Sequence, residues 1–181
     1  MHEDHPGVVL ATPRLVVRRM TWADLDALAG LYADPEVMRH IGPGVPRTRE
    51  QTASLLDRII GQYDAPGWAG LGLWAFADRR DGALAGRGGL VVQEVEGRRE
   101  VELGYMVARA RWGRGLATEA ALALRDHALG PLGLTRLISL IQPANAASVA
   151  VARRAGMHLE REVDFQGQQA LVYALGTPVP S

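Results

Sequence analysis

Residues 105–120 hold the densest chemistry in the chain: Tyr105-Met106-Val107-Ala108-Arg109-Ala110-Arg111-Trp112-Gly113-Arg114-Gly115-Leu116-Ala117-Thr118-Glu119-Ala120. A β-rich segment runs into a short loop with two glycines, and the loop runs into an Ala/Leu-rich helix. The first N–H groups of a helix have no partner inside it, so such a start is a ready anion site. Gly113 and Gly115 permit positive φ and let an anion reach the backbone. Arg109, Arg111 and Arg114 add charge, and a guanidinium matches phosphate with a planar fork of donors. A pyrophosphate-bearing ligand is the natural reading, with a plain glycine turn and solvated arginines as the competing one. A dinucleotide fingerprint is incomplete. Thr118 stands where its third glycine belongs, and no strand–glycine–helix unit opens the chain.

Composition removes other chemistries. The 181 residues carry 20 basic and 20 acidic side chains, and every basic one is Arg; there is no Lys and no Cys. Without Cys there is no thiol nucleophile, disulfide or Cys-ligated metal. Without Lys there is no Schiff base and no Walker-type phosphate loop. A net charge of zero argues against a nucleic-acid partner. No apolar run approaches the roughly 20 residues of a membrane helix. Met1 to Pro6 is polar and lacks the apolar stretch of a signal peptide. The expectation is a soluble, cytoplasmic protein with no metal and no membrane partner. His2 and His5 flank Glu3 and Asp4, but in a terminal tail they are not read as a metal site.

The elements that must position the loop follow from pattern. Residues 1–13 read as a tail, 14–176 as one domain and 177–181 as a second tail, a length suited to a single core. Arg14 to Met20 reads as a strand. A helix capped by Thr21 places Trp22, Leu25, Leu28 and Tyr32 on one side and stops at Asp34-Pro35. Ile41 to Pro46 is a loop, and a second helix spans about Thr48 to Tyr63. Leu71–Asp78, Ala83–Glu96 and Arg99–Val107 read as an antiparallel meander, with Gly86, Gly88 and Gly89 marking a bulge or close backbone approach. After the loop come a helix to Leu129, a strand from Thr135 to Ile141, a helix opened by Asn145 or Ala146, and a hairpin around Gln166-Gly167. One strand–helix–strand crossover within antiparallel neighbours gives a mixed α+β sheet, mostly antiparallel and flanked by helices.

On these residues the chain resembles the GNAT acetyltransferases, in particular the RimJ/RimL-like branch named for ribosomal-protein N-terminal acetylation. Thr12-Pro13-Arg14-Leu15 with Arg18, Leu103-Gly104-Tyr105-Met106-Val107, Trp112 to Ala120, and Asn145 to Val149 with Ala155-Gly156-Met157 carry the likeness in order. The resemblance implies the GNAT acyl-CoA N-acyltransferase fold and a site for acetyl-CoA as co-substrate. Met106, Val107 and Ala108 would pair by backbone with the pantetheine arm. Trp112, Gly113, Arg114, Gly115, Leu116 and Ala117 would donate N–H groups to the pyrophosphate. Asn145 would bond the pantetheine region, and Ser148 would lie near the sulfur. Three positions depart from the family pattern. Ala110 replaces a Gln or Arg, Met157 replaces Phe, and Ala152 replaces the Tyr that serves many members as general acid, so that role does not carry over.

The implied reaction is direct attack of a primary amine on the thioester, the acceptor being a protein N-terminus or a small molecule. Positioning then supplies much of the rate. The N–H of Val107 is placed to stabilise the developing oxyanion. Ser148 is the candidate donor to the leaving thiolate, against an ordinary role in a helix's first turn. Glu102 is the candidate base, against a solvent-facing carboxylate paired with an Arg; strand parity puts it on one face with Gly104 and Met106. Glu160, Glu162 and Asp164 are weaker candidates. Glu119 is read as a carboxylate stabilised near a helix start, and His127 as structural. A non-catalytic acyl-CoA-binding module is the alternative, and an NAD(P) oxidoreductase a third. RimL-like relatives are often dimers, so a homodimer is among the assemblies implied.

Overall fold

The computed structural model describes residues 7–67 and 70–176. The elements are β1 (Val8–Ala11), β2 (Leu15–Arg18), a 3₁₀ turn (Trp22–Asp24), α1 (Leu25–Ala33), α2 (Pro35–Met38), α3 (Arg49–Gln62), β3 (Gly72–Asp78), β4 (Leu84–Val95) and β5 (Arg98–Val107), followed by a 3₁₀ turn (Arg109–Arg111), α4 (Leu116–Leu129), β6 (Leu137–Ile141), α5 (Ala146–Arg154), β7 (His158–Phe165) and β8 (Gln168–Leu175). They form one open eight-stranded sheet in the order β1-β2-β3-β4-β5-β6-β8-β7. Only the β5–β6 neighbours are parallel. This is the mixed, mostly antiparallel sheet expected from the sequence.

Local chemistry sets the ends of the elements. The Thr48 hydroxyl accepts from Gln51 N–H and the Gln51 side chain answers to Thr48 N–H, a capping box that starts α3. Asp34 caps α2 through Glu36 N–H, with Pro35 at the first helical position. The Asp34-Pro35 stop therefore also begins a short new helix. A second difference lies near the N-terminus. Val8–Ala11 was expected in a loose tail, but it pairs antiparallel with β2 as the sheet's edge strand. Its four residues show little alternation, and the pairing partner supplies the order. Residues 1–6 of the expected 1–13 tail, the expected tail at 177–181 and the His2/His5 pair lie outside the described residues.

Three buried clusters pack on the sheet, a smaller one around Ile138, Val163 and Val172 and two that bear on the site. Leu103 and Val107 of β5 pack with Trp74, Phe76, Leu116, Ala120, Leu124 and Ala152 under α4 and α5. Met106 packs with Leu28, Tyr32, Met38, Leu56 and Ile59 under α1–α3. Odd and even residues of β5 thus face opposite layers. The glycines of β4 answer a close approach of strands. A Cβ on Gly86 would strike the Met106 carbonyl, and one on Gly89 would strike the Gly72 carbonyl. No helix among the described residues is long and apolar enough to cross a membrane.

Candidate active site

β5 and β6 share a single ladder pair, Glu102 with Ile138. One residue on, the Ser139 hydroxyl donates to the Leu103 carbonyl at 2.7 Å. Beyond it the strands part, and the Tyr105 hydroxyl reaches across to the Ser148 carbonyl at 3.1 Å. The parting is where an extended ligand arm would enter.

Hydrogen-bond parity says which backbone groups face that opening. Ala108 N–H donates to Ala85 O at 2.9 Å. An antiparallel ladder alternates, so Met106 also bonds β4, while Tyr105 and Val107 turn their N–H groups toward β6. The Ala108 carbonyl accepts from Arg111 N–H at 2.8 Å. Of the three residues expected to pair with a pantetheine arm, Ala108 and Met106 are therefore committed to neighbours. Val107 N–H is the group that faces the opening. Its carbonyl is taken by the Trp112 indole N–H at 2.8 Å, which folds the half-exposed Trp112 back onto the strand end.

The loop then presents its amides. Gly113 and Gly115 both have φ of 73°, and Gly115 is the N-cap of α4 with no side-chain cap. A Cβ at Gly113 would meet no atom within 4 Å, so the positive φ, not crowding, demands glycine there. The first α4 amide with an intrahelical acceptor is Glu119 N–H, on Gly115 O at 3.0 Å. The amides of Leu116 and Ala117 thus point out of the helix end with no partner among the described residues. Trp112 N–H does not join them, because it bonds Arg109 O at 3.1 Å. Of the loop arginines, Arg109 and Arg114 are exposed. Arg111 is not: it binds the buried Asp78 carboxylate, which Arg80 and Arg111 together hold well below the usual carboxylate range. Its charge is spent within the protein.

Glu119 has a role the sequence did not reveal. Its carboxylate accepts from the Thr12 hydroxyl at 2.6 Å, from Arg14 N–H at 2.9 Å and from Arg14 Nε at 2.6 Å. Arg14 in turn donates to the Arg114 carbonyl at 2.7 Å. The Thr12-Pro13-Arg14 segment and the loop are thereby tied through one carboxylate. A polar Thr-x-Arg matched by a helix-start Glu was the available signal, but nothing local joins them.

At the start of α5 the Asn145 side chain accepts from Ser148 N–H at 3.1 Å, so Asn145 is that helix's N-cap. Its amide N–H₂ remains available. The half-buried Ser148 hydroxyl lies within reach of the Tyr105 phenol. Burial pushes the Tyr105 phenol up to about 12, so the hydroxyl beside Ser148 stays protonated. Ala152, where the resemblance expects a Tyr, is 1% exposed inside the core.

Glu102 lies on the opposite face of β5, toward α1–α3. Burial raises its carboxyl above the ordinary range, opposed by the Gln93 amide, which donates at 2.7 Å, by Leu140 N–H and by the nearby Arg87 charge. Glu160 and Asp164 have other duties: Glu160 binds Arg136 and Arg161, and Asp164 closes the hairpin turn by accepting from Gly167 N–H. His127 packs edge-on against Trp74, with ring centroids 6.3 Å apart. A groove of about 690 Å³ opens beside α3, bordered by Met38, Pro43, Arg47 and Arg58. It holds none of the loop residues.

A family model described as an acetyltransferase (GNAT) domain matches residues 14–158. The YkkB protein of Bacillus subtilis (strain 168) is 34% identical over 165 residues, 91% of this chain and 93% of its own. An acetyltransferase structure from Agrobacterium tumefaciens str. C58 superposes with a TM-score of 0.75 at 30% identity, covering 93% and 94% of the two chains. The ribosomal L7/L12 α-N-protein acetyltransferase RimL in complex with coenzyme A shares the fold, with a TM-score of 0.76 at 18% identity over 92% of this chain and 97% of that one. The parted β5–β6 strands, the open amides at the α4 start and the family match together place this chain in the GNAT acetyltransferase family.

Proposed function

We propose that this acetyltransferase moves an acetyl group from acetyl-CoA to a primary amine by direct attack. The observation that carries the reading is the continuity between Val107 N–H, which faces the β5–β6 opening, and the unpartnered amides that start α4. Gly113, Arg114, Gly115, Leu116 and Ala117 hold the pyrophosphate, and Arg109 and Arg114 supply its countercharge. Val107 N–H receives the thioester oxygen. The acceptor comes from the α1–α3 side, where Glu102 takes the amine's proton, its raised pKa making it a stronger base than an ordinary carboxylate. The new C–N bond forms as the C–S bond breaks, and Ser148 donates toward the departing thiolate.

The test is turnover by the purified protein with acetyl-CoA and a panel of amines, reading thiol release together with the acetylated product by mass. The expected result is acetylation of at least one amine and none when CoA replaces acetyl-CoA. Ala152 in the core favours one other reading, a non-catalytic acyl-CoA-binding module. Tight binding of acetyl-CoA with no transfer to any amine establishes that alternative.

A further inference from the structure

Tyr32 is 2% exposed, and its hydroxyl has no hydrogen-bond partner among the described residues. Two guanidiniums stand over its ring, Arg87 at 5.4 Å and Arg47 at 5.7 Å from the centroid. The Nε atom of each is buried and also lacks a partner. Other arginines drawn into the fold are matched: Arg18 to Asp24, Arg111 to Asp78 and Arg136 to Glu100. Arg47 and Arg87 make no such ion pair among the described residues, although the Arg87 charge is felt by the Glu102 carboxyl. The ring explains a cation on its face, but not two like charges beside one phenol with their donors unused.

The arrangement is held by the fold. Arg47 N–H donates to the Tyr32 carbonyl at 2.9 Å, which fixes the loop after α2 against α1. Arg87 sits on β4 opposite Met106, whose side chain packs into the same apolar layer as Tyr32. Arg87, Glu102 and Met106 therefore face the same side of the sheet, the side assigned to the acceptor. Both arginines are partly exposed, but their buried Nε groups are costly to leave unused, and a charge-assisted, forked bond to an oxyanion would be strong there.

We propose that Tyr32, Arg47 and Arg87 form an oxyanion subsite on the acceptor side, and that the acceptor is a small amine carrying a carboxylate, of the amino-acid class. The inference rests on the acetyl-transfer reading for its second half only. The carboxylate accepts from the two guanidiniums and the phenol, and the amine lies toward Glu102 and Val107. A single molecule then satisfies both the donors over Tyr32 and the base on β5. A protein N-terminus offers no anion beside its amine, and a polyamine would be repelled.

Two experiments test this. The first is calorimetric titration of the CoA-loaded protein with proteinogenic L-amino acids, with their C-terminal amides, with O-phosphoethanolamine and with a neutral peptide amide. The second is turnover with the same panel and acetyl-CoA. At least one amino acid should bind and be acetylated with kcat/KM about 30-fold or more above its own amide, the worth of a charged hydrogen bond. Arg47→Gln and Arg87→Gln should each raise the acid's KM about 10- to 100-fold. They should leave the KM for acetyl-CoA within about 2-fold while the preference for acid over amide collapses, a split that a merely structural role would not produce. Equal use of acid and amide by the wild type overturns the proposal, even if a variant fails to fold. So does preference for the peptide amide or a polyamine. Preference for phosphoethanolamine over every amino acid overturns the carboxylate assignment. Amino-acid binding without transfer to any amine keeps the subsite and removes the acetyltransferase activity, whereas transfer to neutral amines alone does the reverse.

Discussion

Replacing Glu119 by Ala cuts the tie between the N-terminal strands and the CoA loop. Three donors lose their acceptor: Thr12 Oγ1, Arg14 N–H and Arg14 Nε. The losses are unequal. The Arg14 side chain is 50% exposed, so water replaces that partner and the ion pair counts for about 0–1 kcal/mol. Thr12 is buried but keeps a second acceptor, Leu15 O, at 3.3 Å. The remaining loss is near the value of one hydrogen bond to a charged group, so the total is about 2 kcal/mol. For a chain of this length that is a fall in Tm of about 4–8 °C. Arg14, no longer oriented, also releases the Arg114 carbonyl, and the loop amides lose preorganisation. The KM for acetyl-CoA should rise while kcat changes less. The pH dependence is a separate check. Burial alone would raise the Glu119 carboxyl, but the Thr12 hydroxyl and the Arg14 donors hold it lower than usual. A lowered carboxyl contributes stability above its unfolded value, near pH ~4.3, that is lost as pH falls through the folded value. The stability gap between wild type and Glu119→Ala should be full at neutral pH and close in acid. Thermal unfolding from acid to neutral pH, with a CoA titration, measures both. An unchanged Tm together with unchanged CoA affinity would refute the clamp.

Gly113→Asp places a strained φ and a negative charge at the loop, and CoA affinity by calorimetry should fall at least about 100-fold; unchanged affinity removes the loop from the site. Glu102→Gln should lower kcat by about 10²–10⁴ and abolish the acidic limb of the pH–rate profile. The raised Glu102 carboxyl makes ionisation costly to the fold, so stability is lost as pH rises through its folded value, and the Gln variant should melt higher than wild type above that value and equally in strong acid. Ser148→Ala should reduce turnover more than acetyl-CoA affinity, and a wild-type rate takes Ser148 out of the reaction. Arg136→Ala strands Glu100, whose side chain is 8% exposed, and should cost about 3–5 kcal/mol by denaturant unfolding, as breaking one side of a buried pair does.

The order of elements was readable because its signals are local. Alternation marked β3, short turns marked β4 and β5 beside it, and apolar spacing marked α1 and α3. The loop was readable for the same reason: two glycines one residue apart, on a strand-to-helix turn, state their own φ. The parity of Glu102 with Met106 also followed from spacing alone, whereas spacing left the helix start open between Asn145 and Ala146. What stayed hidden depends on partners distant in the chain. Val8–Ala11 became a strand because β2 lay beside it. Thr12 and Glu119, 107 residues apart, met only when β2 was laid against α4. Arg111 looked like a phosphate ligand until the β3 end brought Asp78 to it.

For pairing with the pantetheine arm the sequence put Met106, Val107 and Ala108 together, although it already singled out the Val107 N–H as the oxyanion donor. The β4–β5 register separates the three, since alternate residues spend their amides on β4 and only Val107 turns its N–H to the opening. Arg47 and Arg87, 40 positions apart in an all-Arg chain, carried no mark in composition. The sequence by itself determined the fold family, the two-glycine strand-to-helix turn and the absence of thiol and lysine side chains, because these rest on residue type and short spacing. Tertiary structure alone decided which charges are neutralised and which are left over. An ion pair depends on burial and on the partner that folding delivers, and here folding paired Arg18, Arg111 and Arg136 with carboxylates and set Arg47 and Arg87 over the Tyr32 ring without an ion pair among the described residues.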